Sequence, residues 1–171
     1  MLPLEPIMTA ETPRQVLAAD FPRTLKELPI RGGWGYTQAD ACIIDKNDPI
    51  VSKVMPFDGI GIEYVFAEYR NYEEMIVFRP EGEKFSGIRQ KLEMQYLIHE
   101  DDGRSFDKLV FNVTAMRDQD WDEMKAEFEG PNGYGSPGFD EEAHEKRRRY
   151  LTMHFKRECW FDITSFYGQD N

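Results

Sequence analysis

Residues 88–98 read I-R-Q-K-L-E-M-Q-Y-L-I, residues 100–105 read E-D-D-G-R-S, and residues 107–115 read D-K-L-V-F-N-V-T-A. The first stretch alternates, placing Ile88, Leu92, Met94, Tyr96 and Ile98 on one side and Arg89, Lys91, Glu93, Gln95 and His99 on the other. Period-2 alternation marks a half-buried strand. Asp102-Gly103 is a strong hairpin signal. The return strand gathers Leu109, Phe111, Val113 and Ala115 on one face, with Asp107, Lys108 and Asn112 close by in sequence. A tight hairpin between two such stretches requires an antiparallel pair and disfavours a parallel, doubly wound sheet.

The C-terminal stretch extends this pattern. Leu151, Met153, Phe155, Cys159, Phe161 and Ile163 share one parity, and only Arg157 breaks the run. No Gly, Pro or Asn interrupts it, so it reads as one long strand. Residues 28–31 and 41–45 read as short strands flanking a glycine-rich loop.

Helical spacing appears elsewhere. Thr12 and Pro13 open one or two turns over residues 13–20, as N-cap and first helical residue. After Asp58, the residues Ile62, Val65, Phe66, Tyr69, Tyr72 and Ile76 form one apolar stripe, with Glu63, Arg70, Glu73 and Glu74 off it. Residues 118–129 carry Trp121, Met124 and Phe128 at helical spacing behind a capping Asp118, and a short acidic helix is expected over 139–146. The sum is an α+β fold: an antiparallel sheet with long strands, one face covered by two or three helices. Residues 1–12 are expected as a flexible tail and residues 13–171 as a single α+β domain.

The chain has 171 residues and a formal net charge of −11, with 40% hydrophobic and 13% aromatic residues. That length suits one domain with an adequate core. The charge opposes non-specific nucleic-acid binding, which needs a cationic surface. No signal peptide and no apolar run of membrane-spanning length is visible, so a soluble, cytoplasmic protein is expected, with neither membrane nor nucleic acid as partner. Cys42 and Cys159 sit in apolar strand-like stretches and read as buried hydrophobes, although spacing alone leaves a bridge between them open.

Several motifs are incomplete. The segment from Asp118 to Glu129 resembles a calcium loop but has Glu123 where the sharp turn needs Gly. His144-Glu145 opens an H-E-x-x-H pattern that ends in Arg148. His99 and His154 share a metal only if their strands bring them to one face. No cofactor and no resident metal is expected. The basic run Lys146–Arg149 follows acidic residues and is expected to pair with acids.

The least ordinary stretch is R-G-G-W-G-Y-T at 31–37. Its glycines admit close backbone approach, Trp34 and Tyr36 offer flat faces, and Arg31 offers a fork for an anion. Arg31, Gly32, Gly33, Trp34 and Tyr36, with Tyr134 of the glycine-rich 130–138 loop, are therefore candidate ligand- or partner-binding residues. The competing reading is a structural turn whose aromatics plug the core.

With no catalytic motif present, catalytic residues are unassigned and the chain leans away from an enzyme. A non-enzymatic interaction module of inhibitor, immunity or adaptor type, binding a basic protein partner, fits the acidity. The alternative is a small-molecule-binding domain or enzyme, with its pocket near the Arg31–Thr37 loop and the main helix. A homo-oligomer subunit is the third reading, since Tyr150 and Trp160 fall on the nominally solvent-facing side.

Overall fold

The computed structural model describes residues 4–51 and 56–168. Over these described residues the fold is α+β, with a five-stranded, mostly antiparallel sheet and four α-helices. In chain order the elements are α1 (Pro13–Asp20), β1 (Ile30–Gly32), β2 (Cys42–Ile44), α2 (Gly59–Tyr72), β3 (Phe85–His99), β4 (Ser105–Arg117), α3 (Asp118–Glu129), α4 (Glu141–Leu151) and β5 (Met153–Asp162). A π-helical segment, Glu73–Val77, continues α2. The strand order is β1-β2-β5-β4-β3. Only the β2–β5 pairing is parallel. It joins Cys42 to Phe161 and Ile43 to Asp162.

Local chemistry sets the element ends. Thr12 and Gln15 form a reciprocal capping box at α1, behind Pro13. Asp58 and Asp140 accept the backbone N–H groups of Gly61 and Ala143, starting α2 and α4. Asp118 is the first residue of α3, where it accepts a hydrogen bond from Ser86 Oγ at 2.5 Å. Helix α4 runs past the expected end at 146, through the basic run to Leu151. Segment 118–129 is helix rather than a calcium loop.

Strands β4 and β5 carry the core. Leu109 pairs with Cys159, Val113 with Phe155 and Ala115 with Met153, and all belong to one apolar cluster with Phe66 of α2 and Val16 and Leu17 of α1. Ile7, ahead of α1, is buried in the same cluster. Val110 and Met116, of opposite parity, lie outside it. Met116 and the α3 residues Trp121 and Met124 line a common hollow.

Strand β3 departs from the simple alternation. The register shifts between Leu92, opposite Phe111, and Met94, opposite Val110. Glu93 is thus an extra residue, a β-bulge. An inserted residue reverses which face each later side chain takes. Leu92 therefore faces the core with Phe111, whereas Met94, Tyr96 and Ile98 lie on the opposite face. Gln95 and Leu97 take the helix side, opposite Leu109 and Asp107.

The buried side of α2 is also more polar than the apolar stripe implies. Glu63, Arg70 and Asn71 are buried with Phe66 and Ala67, and Glu73 and Glu74 are buried in the π-helical turn. Ile60 is exposed.

Candidate functional site

The Arg31–Thr37 loop is held from beneath. Arg70, fully buried, donates from Nη1 to the Trp34 carbonyl at 3.0 Å and from Nη2 to the Glu158 carbonyl at 2.6 Å. Its guanidinium carbon lies 4.6 Å from the Tyr36 ring centre. Tyr36 Oη donates to Glu74 Oε1 at 2.8 Å and accepts from the Ile7 N–H at 3.0 Å. Burial and the Glu74 carboxylate push the Tyr36 hydroxyl well above its ordinary value. Arg70 Nε stands 3.4 Å from Glu74 Oε1, and Arg157 Nη2 donates to Glu74 Oε2 at 2.6 Å. Arg157, the residue that broke the parity run of β5, is thus turned toward the core by a buried anion.

Trp34 is itself buried, its ring centre 6.1 Å from that of Phe66. Gly35 has φ +78°, and a Cβ there would stand 2.7 Å from the Trp160 carbonyl oxygen. Such an approach needs glycine. Gly32 and Gly33 likewise lie against the Ala41 and Asp40 carbonyl oxygens. Arg31 is exposed and stands 3.8 Å from Asp45. Tyr134 stacks on Phe128 at 5.0 Å, beside His144, and is exposed. The structure thus joins Trp34 and Tyr36 into one buried network and leaves Arg31 and Tyr134 outside it.

His99 and His154 are not brought together. His99 pairs with Ser105 at one end of β4, and His154 pairs with Thr114 toward the other. Their ring nitrogens contact Ser105 Oγ at 2.9 Å and Asn112 at 3.3 Å respectively. Among the described residues no group of three or more His, Cys, Asp or Glu is placed to hold a metal ion. Cys42 and Cys159 are buried free thiols. In the basic run, Arg147 pairs with Glu123 and Glu127 of α3, and Arg148 with Glu145. Among the described residues no helix is long and apolar enough to cross a membrane.

A different cluster opens onto space. A cavity of about 520 Å³ lies between the start of α2, the β3–β4 hairpin and the segment after β5. Glu63 of α2 and Asp107 of β4 form its acidic floor, both more than nine-tenths buried. Asp107 Oδ2 accepts from Gln95 Nε2 at 2.6 Å. No nitrogen or hydroxyl donor among the described residues reaches Asp107 Oδ1. The Glu63 and Asp107 carboxyls lie close enough for one shared proton to link them. Burial first, then the charge and hydrogen bond of Asp107, push Glu63 up to about 9. Burial also raises Asp107, opposed by its bonds to Gln95 and Glu63. One protonated and one ionised carboxyl in contact form a proton donor–acceptor unit, of the kind general acid–base chemistry uses. Ile60, Leu97 and Tyr167, all exposed apolar or aromatic side chains, stand among the cavity's walls.

Two signals in the sequence point to this pair. Asp107 continues the parity of Leu109, Phe111 and Val113, and Glu63 precedes Phe66 by one helical turn. Glu73, in the π-helical turn, is a further buried carboxyl. Among the described residues no nitrogen or hydroxyl donor reaches either of its oxygens, and burial, then the Asp20 carboxyl, push it up to about 9.

Comparison with family models, with curated proteins and with solved structures finds no match for this chain.

Proposed function

We propose that this chain is a small-molecule-binding protein whose site is the cavity between α2 and the sheet, at Glu63 and Asp107. One observation carries it: two buried carboxyls in contact face an open cavity with apolar walls. Burying acidic groups beside one another is unfavourable, and a fold retains them where their chemistry is used. A concave, mostly apolar pocket with a few convergent polar groups is the common form of a ligand site. The pocket lies at the main helix, as the small-molecule alternative expects, but away from Trp34 and Tyr36, which serve packing.

A module for a basic protein partner has weaker support. The acidic concentrations that motivate it have local work: Asp102 binds Arg104, Asp140 caps α4, Glu123 and Glu127 hold Arg147, and Glu145 holds Arg148.

The test is a fragment screen followed by backbone amide NMR on the full chain. The expected result is a set of fragments that shift the amides around Glu63, Gln95, Asp107 and Tyr167. A screen whose hits shift only residues outside this cavity overturns the proposal, and so does a screen with no hits.

A further inference from the structure

We propose that the ligand of the Glu63–Asp107 cavity is an organic cation, a primary ammonium on an apolar body, which replaces the proton held between the two carboxyls. This rests on the small-molecule reading and names the ligand class.

The molecule contains its own control. Glu74 is as deeply buried as Glu63, and the fold provides it with two guanidinium groups, Arg70 and Arg157, and the Tyr36 hydroxyl. Glu63 and Asp107 receive no cation: among the described residues, no lysine or arginine lines their cavity. Among the described residues, the only side-chain N–H that reaches Asp107 is the neutral amide of Gln95. Two acids left without a counter-charge beside an open cavity are complementary to a cation that arrives from outside.

The hydrogen-bond inventory agrees. A protonated carboxyl offers one O–H donor to Asp107, whereas an ammonium offers three N–H donors, enough to serve both carboxylates. The walls set the rest of the ligand. Ile60, Leu97, Ile163 and Phe166 offer apolar surface above the acids, which suits an apolar stem better than a hydrated inorganic cation. The remaining ionisable groups nearby do not supply the missing charge. Asp58, at the start of α2, adds negative charge to Glu63. Tyr167 is backed by the His99 ring at 4.9 Å, with His99 Nδ1 engaged at Ser105.

Binding balances as an exchange. The ammonium enters with its positive charge, Glu63 gives up one proton to solvent, and the cation then sits between two carboxylates. The net charge of the occupied and empty site is the same, −1, so the cavity never has to hold two uncompensated anions.

The experiment is isothermal titration calorimetry of the full chain at pH 7 with benzylamine, against benzyl alcohol as its neutral counterpart, in buffers of differing ionisation enthalpy. Amide NMR on the same samples reports where each probe sits. The expected result is benzylamine binding in the cavity at least 10-fold tighter than benzyl alcohol, with release of about one proton per amine. Glu63→Gln, which keeps an N–H donor toward Asp107, is expected to lose that proton release and to bind benzylamine at least 10-fold more weakly. Equal binding of the two probes, or amine binding without proton release, overturns the cation proposal and leaves the small-molecule reading standing. Neither probe shifting any cavity amide overturns the cation proposal, and the fragment screen then decides the small-molecule reading separately.

Discussion

Tyr36 donates its hydroxyl to Glu74 Oε1 at 2.8 Å, tying the Arg31–Thr37 loop to the π-helical turn 38 residues later. The Tyr36 hydroxyl oxygen also accepts the Ile7 N–H, so one hydroxyl joins three separate segments. Tyr36→Phe removes a donor from a buried carboxylate and an acceptor from a backbone amide. A loss of about 1–3 kcal/mol is expected, read as a lower urea midpoint with an unchanged slope. A midpoint equal to wild type shows that solvent already serves Glu74.

Arg157→Leu tests the partner of the same anion. Leucine suits the parity of β5, between Phe155 and Cys159, so packing is largely retained while one of two guanidinium groups is lost. Removing one member of a buried ion pair is expected to cost about 2–4 kcal/mol, less than a lone pair loses because Arg70 stays in place. Thermal unfolding checks it: a melting temperature lower by roughly 5–15 °C is expected.

The Glu63 and Glu73 carboxyls give stability a defined pH dependence. Each is pushed up to about 9 in the fold, against about 4.3 in an unfolded chain. A group raised on folding favours the fold while protonated. That contribution is complete below the unfolded value and is lost as pH rises toward about 9. The melting temperature is therefore expected to fall between pH 5 and 9, as the two carboxyls come under pressure to ionise. Glu63→Gln and Glu73→Gln should each flatten the decline, with a gain on the order of 1–3 kcal/mol at the alkaline end. Calorimetric scans of the three proteins check this, and parallel curves for wild type and variants contradict the assignment.

Gly35→Ala combines positive φ with a Cβ 2.7 Å from the Trp160 carbonyl oxygen. Gly82 has similar φ, +83°, with open space around it. Gly82→Ala is expected to cost about 1 kcal/mol from backbone strain alone, and Gly35→Ala at least about 2 kcal/mol more, because the Trp160 N–H to Gly35 carbonyl bond at 2.8 Å is disturbed as well. Equal losses in chemical denaturation would show that the loop shifts freely.

Period and cap chemistry made much of this fold readable. The parity of β4 and the Asp102-Gly103 turn, and the Thr12–Pro13 start of α1, are local signals that the structure follows; the parity of β5 holds from Met153, with Leu151 closing α4 instead. Less was readable in α2, where Glu63, Arg70, Glu73 and Glu74 look like a solvent face until their partners are known. Arg70 is buried because the carbonyls of Trp34 and Glu158, 36 and 88 residues away, accept hydrogen bonds from its guanidinium. Pairings of that sequence separation leave no periodic trace. The three-residue strand β2 is similar: its parallel alignment with β5 depends on register rather than composition. The site was half visible, since Asp107 stands in an apolar parity where a charged residue needs a reason. Its partner on α2 is one of three glutamates beside the apolar stripe, Glu63, Glu73 and Glu74, any of which the sequence allows to be buried and none of which it singles out.

The bulge at Glu93 makes β3 a strand with two addresses. Upstream of it, Leu92 contributes to the core with Phe111. Downstream, the same parity turns Met94 and Tyr96 to the far side and delivers Gln95 and Leu97 to the cavity. The hydrogen bond that orients Asp107 therefore depends on the register of a neighbouring strand, not only on the identity of its residues. Drawing Glu93 into the regular ladder would leave the composition of β3 unchanged yet present Met94 and Tyr96 where Gln95 and Leu97 now stand. A one-residue shift of register at this position would thus change the lining of the cavity, and the bulge belongs with the two acids among the features that shape it.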